Sequence, residues 1–217
     1  MTYYLLDLFC GAGGATKGYQ LAGFYVTGVD IKPQPRYVGD NFIQADAMDF
    51  PLDGYDVIHT SPPCQRYSII TKVHPGKAEQ HPDLILPLRE KLRGFRGSWI
   101  IENVVGSPLK DPIMLCGSMF NLQVQRHRLF EGTVPKFTPL CAHNGRAVAV
   151  YGHGGMGSNR GRDRLLGRTN NLKEWSIAMG IDWMTRNEIT QAIPPAYTEW
   201  LGHYLRATLL VERQKYV

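Results

Sequence analysis

At 217 residues, with 43% hydrophobic and 20% charged side chains, the chain suits one soluble domain, or one domain with a modest insert. No apolar run approaches the roughly 18 residues of a membrane span, and no basic leader precedes the first apolar segment, so a cytoplasmic protein without membrane contact is expected. Its four cysteines make no disulfide framework in a chain of this size, and a net charge of +5 is compatible with a polyanionic partner without requiring one.

The first half alternates short apolar runs with helical or turn segments. Tyr3 to Phe9 reads as a strand, followed by a glycine-rich turn that opens a helix ending at Gly23. Further strands are expected at Tyr25 to Asp30, Phe42 to Asp46 and Tyr55 to Thr60. Leu84, Leu88 and Leu92 recur at helical spacing, with Pro87 expected to kink or delay that helix. Ser98 to Glu102 is again strand-like, with Trp99, Ile100 and Ile101 buried on both faces, and Arg126 and Arg128 alternate on another strand. This alternation predicts a doubly wound, Rossmann-like α/β sheet with helices on both faces and ligands at the strand carboxyl ends. From about Gly132 to Thr169 the pattern fails, and glycine, arginine and asparagine dominate. Regular structure resumes at Leu172, and the last helix is expected over Pro194 to Leu209, with proline at its start. The organisation read is thus one domain over 1–217: a cofactor and catalytic core (1–131), a short basic insert (132–171) and a returning segment (172–217).

Two sites stand out within this frame. Ser61-Pro62-Pro63-Cys64-Gln65-Arg66 follows the fourth strand and mounts one thiol on a stiff loop, because each proline fixes its own φ and restricts the residue before it. A nucleophile that must reach a ring carbon needs such a mount; a buried structural cysteine does not. At the end of the first strand, Gly11, Gly13 and Gly14 let the backbone bend sharply and approach a ligand, although their spacing departs from the dinucleotide fingerprint. Asp30 ends the second strand, where a ribose hydroxyl pair would lie, and Asp46 ends the third, where a carboxylate can accept from an adenine amine. Glycine turn, acid and acid at successive strand ends suggest an adenosine-containing ligand.

The segment DLFCGAGGATKGYQLAGF, the loop SPPCQRYS, Glu102-Asn103-Val104, the run QRHRLFEG and the tail Gln191-Ala192-Ile193-Pro194-Pro195 resemble, in order, motifs of the DNA cytosine-5 methyltransferases. The resemblance covers nearly all of the chain outside the insert. It implies S-adenosylmethionine as methyl donor, held by Phe9, Cys10, Gly11, Gly13, Gly14, Asp30, Ile31, Asp46, Ala47, Pro62, Gln191 and Ala192. It assigns attack on carbon 6 of cytosine to Cys64, with a thiol pKa lowered by the loop or a proton lost on substrate binding. Glu102 would hold the ring nitrogen and amine, Arg128 the carbonyl oxygen, and Arg126 would support the loop or the cofactor side; Asn103 would fix the neighbouring loop. One departure stands out: the family's glutamine two residues before the first arginine is replaced by Val124, with Gln125 adjacent.

A target base inside a duplex is shielded by stacking and has to be flipped out. Double-stranded DNA is therefore the expected partner, contacted by Gln65, Arg66 and Ser68 of the thiol loop and by Arg146, Arg160, Arg162, Arg164 and Arg168 of the insert. The insert is short for the family, which argues for a short or relaxed target sequence. RNA or a free nucleotide as substrate, and a non-catalytic binding module, are the open alternatives. A compact enzyme of this kind suits a phage or a restriction system acting on DNA in a prokaryotic cell, and a monomer suffices for one target base. Cys141 and His143, with His153 beyond, are residue types that a zinc site uses, but their spacing matches no strong metal pattern, and no metal is expected.

Overall fold

Among the described residues seven strands form one sheet: β1 (Tyr3–Leu8), β2 (Phe24–Asp30), β3 (Asn41–Gln44), β4 (Val57–Thr60), β5 (Ser98–Val104), β6 (Ile113–Leu115) and β7 (Arg128–Gly132). The computed structural model describes residues 2–67, 78–143, 147–150 and 171–214. The spatial order is β3-β2-β1-β4-β5-β7-β6. Pairing is parallel from β3 to β5, and β7 runs antiparallel to both β5 and β6, so one strand is reversed. The order reverses between β1 and β4, which makes the carboxyl ends of those two strands the natural crevice for ligands.

Alternation along the strands explains the two faces. Tyr3 and Leu5 of β1, Val57 of β4 and Ile100 of β5 join one core with α1 (Gly14–Leu21), while Leu6, Leu8, Ile58 and Ile101 join another with Leu92 of α2 (Ile85–Leu92). Helix α5 (Pro195–Gln214) lies along α1 on the first face, with Tyr197, Leu201, Leu205 and Leu209 buried four residues apart. Its approach is close. A Cβ added at Gly18 would lie 2.1 Å from the carbonyl oxygen of Pro195, and one at Gly202 2.5 Å from the Cβ of Ala22. A third cluster forms where α3 (Leu172–Met179) and α4 (Arg186–Gln191) cover the first glycine turn, bringing Trp175, Met179 and Ile189 against Ala12 and Val124. Helix α4 begins with a capping box, in which Thr185 and Glu188 satisfy each other's backbone N–H groups.

The doubly wound α/β expectation holds, with differences at element ends. Pro87 neither kinks nor delays α2, because it falls in the first turn, where its absent N–H has no intrahelical acceptor. Strand β5 runs two residues past Glu102, which therefore sits inside the strand, paired with Phe130. Arg126 lies ahead of β7 rather than on it; the strand begins at Arg128. β3 ends at Gln44, so Asp46 follows the strand by two residues. Helix α5 starts at Pro195 and continues to Gln214, beyond the last leucine of the predicted stripe. Among the described residues, no helix is long and apolar enough to cross a membrane.

Candidate active site

The thiol loop leaves β4 at the sheet's carboxyl edge and is tied to its neighbours at both ends. Ser61 donates its N–H to the carbonyl of Leu8 at 3.1 Å, and the buried amide of Asn103 donates to the carbonyl of Pro62 at 3.0 Å. Cys64 is half-buried and opens a single 3₁₀ turn, Gln65–Tyr67, whose last N–H bonds back to the Cys64 carbonyl. Beside it, Glu102 is buried, with Oε1 3.1 Å from Nε of Arg128. Arg126 is held by backbone oxygens: Nη2 donates to Thr190 at 2.5 Å and Nη1 to Val150 at 3.2 Å, while the hydroxyl of Tyr197 bonds the Arg126 carbonyl at 2.8 Å. Among the described residues its Nε–H has no partner.

These four side chains share one field. Burial, and then the charge of Glu102, push the Cys64 thiol above its ordinary value, while Arg128 and Arg126 pull it back. The lowered thiol pKa expected from the loop is thus corrected: a half-buried sulfur beside a carboxylate keeps its proton in the free protein. Glu102 is also raised, by burial first, against the two arginines and a hydrogen bond from Ser61. Arg126 is lowered to about 9 by burial and by its like-charged neighbour. Thiol and carboxyl are thus both shifted toward their protonated forms by burial, and both are drawn back by the same two arginines.

A buried hydrogen-bonded chain that sequence reasoning did not single out supports Glu102. The hydroxyl of Tyr19 lies 2.9 Å from Nδ1 of His59, whose Nε2 lies 2.9 Å from Oγ of Ser61, and Ser61 in turn bonds Glu102. Burial lowers the His59 pKa to about 3, so the ring is neutral. The order of donation is then Tyr19 to Nδ1, Nε2–H to Ser61 and Ser61 to the carboxyl. Strict alternation put His59 on the α1 face, the signal that could have found it.

The glycine turn has the backbone that close ligand approach requires. Phe9, Gly11 and Gly13 have φ of 61°, 51° and 88°, all left-handed. Asp30 accepts from the N–H of Gly11 at 3.0 Å and of Lys32 at 2.9 Å, which fixes the carboxylate at the second strand end. Asp46 accepts from the N–H of Met48 at 2.8 Å. Cys10 and Ala47 are buried, and Ile31 is exposed at the rim. The tail closes over this turn: a Cβ at Gly14 would meet the Ile193 carbonyl at 2.7 Å and the Cβ of Ala192 at 3.0 Å, and Nε1 of Trp183 donates to the Ala12 carbonyl at 2.9 Å. Gln191 ends α4 on the exposed side. Val124, which stands in place of the family's glutamine, is buried in the α3–α4 core.

No protein-family model matches the chain, and no curated protein matches it by sequence. Solved structures do match. A protein named as a DNA modification methyltransferase encoded within a prophage (E. coli) superposes with a TM-score of 0.63 at 15% identity, over 95% of this chain and 99% of that one. This is a methyltransferase fold. The Dnmt2 methyltransferase of S. pombe gives 0.61 at 14% identity over 96% of this chain and 99% of its own, and the Entamoeba histolytica methyltransferase EhMeth 0.55 at 14% over the same shares. The likeness in methyltransferase fold and the resemblance read from the motifs point to the same group of proteins.

The methyltransferase fold gathers Cys64, Glu102, Arg126 and Arg128, and separates other expected residues from them. Gln65 is exposed next to the thiol. Arg66 is engaged within the protein: its Nη1 donates to the carbonyls of Ala78 and His81 at 3.2 and 3.0 Å, and its Nε lies 3.8 Å from Asp83. Its guanidinium thus bridges the described residues on either side of 68–77. Ser68, Arg146, Arg160, Arg162, Arg164, Arg168 and His153 lie outside the described residues. The expectation of no metal meets a different finding, since Cys116, His127, Cys141 and His143 place four ligand atoms within 4.8 Å of one another.

Proposed function

We propose that this chain transfers a methyl group from S-adenosylmethionine to carbon 5 of cytosine in DNA through a covalent adduct of Cys64. The observation that carries the reading is the convergence of thiol, buried carboxyl and two arginines on one strand edge, next to a glycine turn with fixed acids. The likeness to a protein named as a DNA modification methyltransferase supports DNA as the substrate.

The residues fit the donor. Left-handed Phe9, Gly11 and Gly13 open backbone space at the strand end, and Asp30 and Asp46 offer carboxylate oxygens at the two following strand ends. When bound there, S-adenosylmethionine supplies an electrophilic methyl group. The chain's own residues prepare the acceptor. Carbon 5 of cytosine is a poor nucleophile; as substrate binds, the Cys64 thiol gives up its proton to water, and the thiolate attacks carbon 6 and makes carbon 5 an enamine carbon. The electrons displaced by that attack collect at ring nitrogen 3, where Glu102 donates its proton as the negative charge develops. The raised Glu102 pKa suits a proton donor, and the Ser61–His59–Tyr19 chain holds the carboxyl in place. Arg128 bonds the carbonyl oxygen at carbon 2 and sustains the charge of the Glu102 that has lost its proton. Once carbon 5 is methylated, water takes its proton, the carbon–sulfur bond breaks, and Cys64 departs as a thiolate that regains a proton from solvent. Glu102 regains the nitrogen proton.

The test is trapping. Duplex DNA carrying 5-fluorocytosine cannot lose a proton from carbon 5, so with the methyl donor the protein should become covalently attached. Cys64→Ala should abolish attachment. Labelled methyl transfer to duplex DNA, tRNA and dCMP separates the nucleic-acid classes. Transfer to tRNA alone would replace DNA by RNA, and transfer at the wild-type rate by Cys64→Ala would remove the covalent mechanism.

A further inference from the structure

We propose that Cys116, His127, Cys141 and His143 bind one zinc ion as a closed structural site that fastens the root of the arginine-rich insert to the catalytic sheet. The four come from three separate stretches: Cys116 just after β6, His127 just before β7, and Cys141 and His143 in the first part of the insert. The site shares no ligand with the Cys64 centre and stands whatever the substrate of that centre is.

The spacing fits a tetrahedron. With metal–sulfur and metal–nitrogen bonds of about 2.3 and 2.1 Å, a sulfur and a nitrogen on one ion sit about 3.6 Å apart. Here Sγ of Cys116 is 3.3 Å from Nε2 of His143, and Sγ of Cys141 is 3.5 Å from Nε2 of His127 and 2.9 Å from Nε2 of His143. An ion at the centre requires only a small outward adjustment of the exposed Cys141–His143 strap. Both histidines present the same nitrogen, Nε2, to the cluster, which leaves each Nδ1 for an outer partner. The Ser118 hydroxyl lies 3.3 Å from Sγ of Cys116 and 3.7 Å from Sγ of Cys141, placed to donate to a thiolate.

The donor set selects the metal. Two thiolate sulfurs and two imidazole nitrogens suit zinc and exclude the hard cations magnesium and calcium, which take oxygen. Four protein ligands leave no open position for water or substrate, so the ion is structural and not catalytic. Its binding releases the two thiol protons and joins three chain segments in one step. His127 sits between Arg126 and Arg128, so the ion also steadies the backbone that carries the arginine paired with Glu102 and the one held by the Thr190 and Val150 carbonyls.

The experiment is metal content of the untagged full-length chain, expressed with zinc in the medium and measured by mass spectrometry of the metal. About one equivalent per chain is expected, falling below about a tenth in Cys141→Ser and Cys116→Ser, whereas His203→Ala, an exposed histidine elsewhere, keeps the full amount. Cobalt(II) added to the stripped chain should give the visible bands of tetrahedral coordination with thiolate charge transfer. Should Cys116→Ser fail to fold, His143→Ala on the exposed strap serves instead and should weaken zinc at least about tenfold against a coloured chelator. Wild-type chain with less than about a tenth of an equivalent of zinc and no tetrahedral cobalt spectrum overturns the proposal. So does full zinc content in Cys141→Ser, or a Cys116–Cys141 disulfide in the zinc-free chain as purified.

Discussion

The side-chain amide of Asn103, on β5, donates to the carbonyl of Pro62 at 3.0 Å, so the strand that carries Glu102 also holds the loop that carries Cys64. The proposed nucleophile and acid are thereby placed by adjacent residues of one strand. Asn103→Ala leaves the buried Pro62 carbonyl without its donor and frees the loop. Loss of such a bond costs about 1–3 kcal/mol, so methyl transfer should fall about tenfold or more while circular dichroism stays unchanged. Equal rates for variant and wild type would show that the loop is held by the two prolines alone.

Cys64 offers a charge test that needs no substrate. Burial and Glu102 raise its pKa, and Arg128 and Arg126 lower it. Alkylation by iodoacetamide should therefore rise with pH to a midpoint above that of a free thiol. Glu102→Gln removes a repelling charge and moves the midpoint down; Arg128→Gln removes an attracting one and moves it up. Shifts of the same sign in both variants would contradict the geometry.

Asp7 is fully buried, bonded by Thr16 at 2.5 Å, and burial raises its pKa to about 7. The folded state therefore holds a proton that the unfolded state gives up near pH 4, so stability from this group is present at low pH and lost as pH rises from about 4 to about 7. Asp7→Asn has no such loss. Relative to wild type its stability should climb across that window, by an amount on the order of 4 kcal/mol. His59, lowered to about 3, works in the opposite sense. Neutral in the fold, it costs stability as pH drops below about 6.5, so His59→Gln should flatten the acid side of the profile. Urea unfolding at stepped pH measures both.

The α1–α5 contact depends on two missing side chains. At Gly18 a Cβ would lie 2.1 Å from both the Pro195 carbonyl and Oγ1 of Thr198, and no flexible side chain can move aside from the former. Gly18→Ala should force the helices apart at about 1–3 kcal/mol, read as a fall in the thermal midpoint of several degrees. Gly54→Ala, a glycine with φ of 87° and open space around it, is the comparison that isolates crowding from backbone strain.

What the sequence disclosed was whatever repeats or is local. The two-residue alternation of β1, β4 and β5, the four-residue leucine spacing of α5 and the proline-flanked thiol each follow from neighbours in the chain. Element ends did not. Pro87 is harmless in a first turn and harmful one turn later, and only the three-dimensional start of α2 decides which. His59 looked like part of an apolar strand, because its partners Tyr19 and Ser61 come together only through the sheet. Of the Cys116–His127–Cys141–His143 cluster, the sequence showed only the Cys141-x-His143 pair; Cys116 and His127 come from two other stretches, brought to it by the β6–β7 pairing. The bonds of Arg66 to the Ala78 and His81 carbonyls were equally out of reach, since they join residues 12 and 15 positions apart with no local signal.

The closure of the first glycine turn by Trp183, Ala192 and Ile193 has a consequence for how the protein is made. The cover follows the turn by 171 positions, from Ala12 to Trp183, so on a growing chain the turn is made well before anything can close it, at about 5–20 residues per second. Until Trp183, Ala192 and Ile193 have been added, Ala12 and Gly14 stand open to water. The ligand edge of the sheet is therefore completed late, by residues distant in the chain, and not by the strands that form it.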